Sequence, residues 1–194
     1  MYKTITSFFV GLFPLCFGVV DSESNDNWLW FMEKLQTVIE DERVIVFMSD
    51  RNVGIKEAIS KVFPCSSHGY CLYHLKNNLR SRLAEMNTNV KENIINLFTR
   101  CAYAPTKKSF QGIHGQLICQ GGWRVKKFLE ELPYDRWTNA YFPRKRYGKM
   151  ISNLMESFNS WIEKERHLPI TKLIDRIRVK LMEQMSTQKK NATN

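Results

Sequence analysis

An unbroken apolar run at residues 44–48 (VIVFM), closed by Ser49 and Asp50, constrains this fold more than any other feature. A strand with one wet face alternates apolar and polar residues, because successive side chains point to opposite faces. Five apolar residues without alternation predict a strand covered on both faces, as in a parallel or mixed sheet of an α/β domain. Asp50 leaves that strand at its carboxyl end, where ligand and catalytic groups collect in open α/β sheets. The stretch is equally compatible with Asp50 capping the helix that follows.

The flanking segments extend the α/β pattern. Residues 1–20 hold one or two strands, the clearer being FPLCFGVV. Trp28, Phe31, Leu35, Val38 and Ile39 recur at helical spacing and predict a helix over 27–40, which makes strand, crossover helix, strand, the connection that parallel neighbours require. A helix over 53–63 ends at Pro64, a short strand follows at 67–71, and a helix over 73–86 carries Leu75, Leu79 and Leu83. Residues 1–87 therefore read as an α/β core. From 88 to 133 the pattern is helical only: Ile94, Leu97, Phe98 and Cys101, then Phe110, Ile113 and Leu117, then Val125, Phe128, Leu129 and Leu132, separated by Pro105 and Gly121-Gly122. This is an all-helical insertion. Residues 134–188 supply a basic aromatic connector and two C-terminal helices, over 152–166 and 169–188, the second with a stripe of Leu173, Ile174, Ile177, Leu181 and Met185. Residues 189–194 are a disordered tail.

With 194 residues and 43% hydrophobic content the chain can bury a real core. Lys and Arg outnumber Asp and Glu by 29 to 19, a net charge of +10 that favours a polyanionic partner, above all DNA. Arg144, Lys145, Arg146 and Lys149 cluster with Tyr141, Phe142 and Tyr147, and cations interleaved with aromatics suit phosphate contact with stacking. Five widely spaced cysteines read as reduced and intracellular. The apolar residues 5–20 imitate a signal peptide, but Thr6, Ser7, Gly11 and Pro14 interrupt them and no small-x-small cleavage site follows, so neither a leader nor a membrane span is expected.

Two further stretches hold chemistry. In ISNLMESFNSWIEKERHLPI, a helix would bring Asn153, Glu156, Asn159 and Ser160 to one face, a polar stripe with a carboxylate at its centre. Such a stripe is either the solvent side or, turned inward, needs a metal, substrate or partners to satisfy it. The set Cys65, His68, Cys71 and His74 tempts one toward zinc. Ligands at every third position drift around a helix or alternate faces on a strand, so no structural zinc is expected, and Cys71 and His74 read better as a packed or hydrogen-bonded pair.

SDRNVGIKEAISKVFP, then HGYCLYHLKNN, then a helical spacer, then RWTNAYFPRKRYGKMISNLMESFNSWIEKERHLPI resemble, in that order, the Mutator-like (MULE) transposases of plants and their domesticated far-red-response transcription-factor relatives. FPLCFGVVDSESNDNWLWFMEKL resembles the preceding part of the same domain, so the similarity covers about residues 10–185. The resemblance implies an RNase H-like mixed sheet interrupted by a helical insertion, with three acidic residues (DDE) binding two divalent ions, normally Mg²⁺, with Mn²⁺ as substitute. Asp50 matches the second acid and Glu156 the third, both as metal ligands and catalytic residues. Cys71 and His74 match the family's C-x-x-H motif, and Asn153 and Asn159 flank the glutamate as supporting residues. The family's first Asp lies on an earlier strand, whereas no Asp or Glu precedes Asp21 here. Asp21 and Glu23 follow the wrong strand. The expectation is thus an N-terminally truncated catalytic domain that binds Mg²⁺ weakly, acts on or beside DNA in the nucleus, and does not cut it. Whether it is an enzyme at all stays open, as does its oligomeric state. The alternative is a domesticated, non-catalytic domain that binds DNA or protein.

Overall fold

The computed structural model describes residues 4–10, 13–39, 45–144, 146, 150 and 161–192. The chain divides into two compact units, one of Ser24–Ser152 and one of Met1–Glu23 with Asn153–Asn194. The described residues are mostly helical, with one parallel and one antiparallel pair of strands.

The first two strands, β1 (Thr4–Val10) and β2 (Phe13–Val20), belong to the smaller unit. They form an antiparallel hairpin with a register irregularity between Phe8 and Phe9.

The larger unit opens with α1 (Asn25–Val38), whose N-cap Ser24 accepts a hydrogen bond from the Asn27 N–H at 3.2 Å. Trp28, Phe31, Met32 and Leu35 form its buried stripe, while Val38, expected to belong to it, is 61% exposed in the last turn. Next come β3 (Val46–Ser49), α2 (Val53–Val62) and β4 (Ser67–Tyr70). β3 and β4 pair in parallel, from Val46 opposite Ser67 to Ser49 opposite Tyr70. Of the two strand–helix–strand units that the sequence predicts, around α1 and around α2, the parallel pairing seen among the described residues is the second, β3–α2–β4. Phe47 and Ser49 are buried while Ile45, Val46 and Met48 are half-buried, so β3 has one covered and one partly covered face rather than the two covered faces that the unbroken apolar run predicts. α1 lies alongside α2 in the same sense: Asn25 Nδ2 donates to Glu57 Oε2 at 3.4 Å near their starts, and Gln36 Nε2 donates to the Val62 carbonyl at 3.1 Å near their ends.

α3 (Leu72–Arg82), α4 (Thr88–Tyr103), α5 (Lys107–Glu130) and α6 (Tyr134–Trp137) build the main core. Leu75, Leu79 and Leu83 are fully buried, as their spacing predicts. At the centre the Phe98 and Trp137 rings stack at 4.6 Å, with Phe128 edge-on to Phe98 at 5.8 Å. Gly122 interrupts α5 with φ 60° and ψ −153°, a backbone open in practice only to glycine. Gly121 is equally constrained, since a Cβ there would collide with the Val125 side chain.

In the smaller unit, residues 151–160, which hold most of the helix expected over 152–166, lie outside the described residues; its end is a 3₁₀ turn, Lys164–His167. α7 (Ile170–Ala192) contributes Leu173 and Ile177 to a cluster with Ile162, packed by Phe17, Val19, Trp161, Leu168 and Leu181. Met185 is 58% exposed, so the buried stripe of α7 is shorter than its apolar spacing suggests.

Candidate metal and nucleic-acid site

The carboxyl ends of β3 and β4 carry a small polar network. Asp50 is exposed just past β3, and its Oδ1 accepts from the Asn52 N–H at 3.0 Å. Asn52, not Asp50, is the N-cap of α2, its Oδ1 accepting from Gly54 N–H at 2.8 Å and Ile55 N–H at 3.4 Å. The cap role that the sequence left open for Asp50 is therefore taken two residues later, and one carboxylate oxygen of Asp50 is held by the turn while the side chain faces water.

Beneath it, Ser49 and His68 are buried. The Ser49 hydroxyl lies 2.8 Å from the Asp50 carbonyl and 2.8 Å from His68 Nε2. A hydroxyl has one hydrogen, and His68 Nδ1 is buried without a partner. We assign the Nε2–H tautomer: His68 donates to Ser49 and Ser49 donates to Asp50, which leaves at Nδ1 an unpaired acceptor rather than an unpaired donor. Burial, helped by Arg136 and Lys56, pushes the His68 pKa down to about 4, so the ring is neutral at pH 7. Arg136, on α6, donates from Nη1 to the His68 carbonyl at 3.1 Å and ties the residues after the insertion to β4. Neither Ser49 nor Arg136 stood out in the sequence. Their signal is weak: a polar Ser at the end of an apolar strand, and an Arg beside a Trp.

Cys71 is buried at the N-cap of α3, and its N–H donates to the Ser49 carbonyl at 2.7 Å, extending the β3–β4 ladder. His74 is half-buried one turn on, with its ring edge-on to Tyr73 at 5.6 Å. The next N–H, of Leu72, donates to the Met150 carbonyl at 2.8 Å. Met150 thus lies beside the carboxyl ends of β3 and β4. Glu156, Asn153 and Asn159, together with Lys145 and Lys149, lie outside the described residues.

Among the described residues no three or more His, Cys, Asp or Glu side chains gather in a way that could hold a metal ion. Asp50 fits a hard divalent cation as one oxygen ligand on an exposed residue; it is the only part of the expected ligand set that the described residues supply. Of the basic connector, Arg144 is exposed, whereas Arg146 is only 6% exposed, with its guanidinium carbon 4.1 Å from the centre of the Phe142 ring. Burial lowers the Arg146 pKa to about 10, and Nε, Nη1 and Nη2 have no hydrogen-bond partner among the described residues. The described helices include none long and apolar enough to cross a membrane.

Residues 9–78 match the MULE transposase domain, a span that contains Asp50, Cys71 and His74 and stops before the helical insertion. The chain is 24% identical over 163 residues to Protein FAR1-RELATED SEQUENCE 12 of Arabidopsis thaliana, covering 81% of this chain and 20% of that protein. It is 25% identical over 154 residues to the transposase for insertion sequence element IS905 of Lactococcus lactis, covering 78% of this chain and 38% of that protein. Protein FAR1-RELATED SEQUENCE 7 of Arabidopsis thaliana matches at 21% over 70% of this chain and 18% of its own length. The chain spans about a fifth of the FAR1-related proteins and under two-fifths of the insertion-element transposase. Residues 9–78 thus match the MULE transposase domain, and over most of its length the chain is similar to FAR1-related proteins and to an insertion-element transposase.

Proposed function

We propose that this chain is part of a Mutator-like, DDE-type transposase catalytic domain of RNase H-like fold, with Asp50 and Glu156 as ligands for Mg²⁺ or Mn²⁺. The observation that carries the reading is the position of Asp50, exposed at the carboxyl end of a parallel strand inside the span that matches the MULE transposase domain. When bound, a divalent pair supplies Lewis-acid activation of a water or 3′-hydroxyl and stabilises the leaving oxygen of a phosphodiester. The chain's own part is positional. Ser49 and His68 hold the Asp50 carbonyl from below, and the Asn52 N–H holds its carboxylate.

Arg144, with Lys145 and Lys149, contacts the phosphates of nuclear DNA; Arg146, buried on Phe142, serves instead to fix the connector. The 194 residues by themselves supply two acids at matching positions, so the chain alone binds the metal weakly and does not cleave. The test is metal titration and a cleavage assay on a terminal-inverted-repeat duplex with the purified chain. Weak Mn²⁺ binding that is lost in Asp50→Ala, with no cleavage, supports the reading. Metal-dependent nicking that Asp50→Ala abolishes would show the chain to be an active enzyme.

The similarity to two FAR1-related proteins favours a second reading, a non-catalytic domain that binds DNA or protein. Salt-dependent DNA binding that survives EDTA and the Glu156→Ala change distinguishes it.

A further inference from the structure

Trp123 is 70% exposed, the highest value among the large hydrophobic side chains of the described residues. Burying an indole is worth more than burying almost any other side chain, so one left in water at a fixed position calls for a physical explanation. Its position is fixed by the backbone. Gly122 breaks α5 with a positive φ, and the ring begins the second helical piece, residues 123–130, instead of continuing the apolar stripe of the first. That second piece buries Val125, Phe128 and Leu129 in the core, which commits Trp123 to the opposite side.

The ring is also held. The guanidinium of Arg124 lies 5.7 Å from the Trp123 ring centre, and its Nη2 pairs with Glu85 Oε2 at 2.6 Å. Glu85 fixes Arg124, and Arg124 lies over the ring at cation–π distance while most of the indole stays in solvent. Lys126 and Lys127, three and four residues on, share the helix face of Trp123 and are exposed. No ion pair of either lysine occurs among the described residues. A protein-docking surface would surround the indole with further apolar residues of the same helix. Here the exposed neighbours on the same face are charged, Lys126 and Lys127 first and Glu130 two turns on.

The geometry points to Trp123 as a stacking platform for an unpaired base of a nucleic-acid strand whose phosphates run past Lys126 and Lys127. Stacking on an aromatic face is indifferent to base identity, and two lysines on one side of the ring give the strand a path. This contact lies on the helical insertion and uses none of the residues of the Asp50 strand end or of the connector. It rests on the nucleic-acid reading proposed above, but on different residues.

The test is fluorescence anisotropy with a labelled single-stranded oligothymidine and a duplex of equal length, for the whole chain and for Trp123→Ala, Trp123→Phe and the Lys126→Glu/Lys127→Glu double variant. Trp123→Ala is expected to weaken single-strand binding by roughly 5- to 100-fold, with duplex binding changed far less. Trp123→Phe should recover most of the loss, and the double lysine variant should weaken binding and flatten its salt dependence. Circular dichroism and thermal melting accompany each variant, and Trp123→Phe serves as the decisive comparison if Trp123→Ala lowers the melting temperature. Single-strand affinity unchanged in Trp123→Ala overturns the inference, and with duplex binding intact it leaves the connector reading standing. Absence of binding to either nucleic acid overturns both.

Discussion

The Ser49 hydroxyl bridges two strands: it lies 2.8 Å from His68 Nε2 on β4 and 2.8 Å from the carbonyl oxygen of Asp50, the residue that follows β3. A neutral His68 completes the bridge by donating to Ser49. An imidazolium there would also place a proton on Nδ1, buried and without an acceptor. The imidazolium would keep the Nε2–H bond to Ser49, so protonation is opposed not by the bridge but by burial of the charge and of an unpartnered Nδ1–H beneath the strand end that carries Asp50.

This gives the first prediction its sign. Folding lowers the His68 pKa from 6.5 to about 4, so the unfolded chain binds the extra proton between those values. Stability from neutral His68 is fully present above pH 6.5 and is lost as pH falls toward 4, a change of about 3 kcal/mol. Urea unfolding at pH 7 and pH 4.5, compared with His68→Gln, isolates this contribution from that of the carboxylates. Equal losses in the two proteins would show that His68 is not the group responsible.

Two glycines of α5 predict opposite outcomes for one substitution. Gly122→Ala forces a Cβ into φ 60°, ψ −153° and should destabilise by about 1–3 kcal/mol, although open space surrounds the site. Gly112 is exposed and helical, and a Cβ added there would likewise meet no neighbouring atom, so Gly112→Ala should stabilise by about 0.5–1 kcal/mol through a less flexible unfolded chain. Thermal unfolding of the two variants checks the sign of each. A Gly122→Ala protein as stable as Gly112→Ala would mean that the break in α5 is not fixed by this backbone.

What could be read from the sequence followed side-chain periodicity. The strand before Asp50, the stripe of Leu75, Leu79 and Leu83, and the helical character of 88–132 were all legible, because one residue's burial repeats at the period of its element. Periodicity failed toward helix ends. Val38, in the last turn of α1, and Met185, two turns before the end of α7, fit their stripes and are exposed. It also could not assign strand partners: pairing around α1 and pairing around α2 both satisfy strand, helix, strand, and the β3–β4 choice depends on contacts far apart in sequence. At the site, Asp50 was legible as a strand-end carboxylate, but the cap passed to Asn52 because only its side chain reaches Gly54 and Ile55 N–H. Ser49–His68 was not, because a hydrogen bond between two strands leaves no local pattern. Arg146 stood out for its charge, and the structure turns that charge onto Phe142.

Arg146 supplies the third prediction. The stack on Phe142 recovers about 2 kcal/mol at most, while burying a guanidinium without hydrogen-bond partners costs several kcal/mol. Arg146→Met keeps the volume and removes the charge, so the variant should be at least as stable as the parent and up to about 2 kcal/mol more so by urea unfolding. The same change should leave duplex affinity nearly unaltered, whereas Arg144→Glu, at an exposed position, should weaken it and lower its salt dependence. A large loss of stability in Arg146→Met would reveal an anionic partner for the guanidinium.

Asp50 and Asn52 allow structure and function to be separated within three residues. Asn52 accepts from two N–H groups at the start of α2, so Asn52→Ala should cost about 1 kcal/mol of stability. Asp50 is exposed and accepts one backbone hydrogen bond, so Asp50→Asn, which keeps an acceptor oxygen, should cost less than about 0.5 kcal/mol. Metal binding should divide the other way. Removing the carboxylate charge in Asp50→Asn should abolish Mn²⁺ binding measured by calorimetry, and Asn52→Ala should retain it with affinity reduced only as far as the Asp50 turn loosens. If both variants bind Mn²⁺ like the parent while Asn52→Ala is destabilised as expected, Asp50 is a turn residue and the metal reading of this strand end is lost.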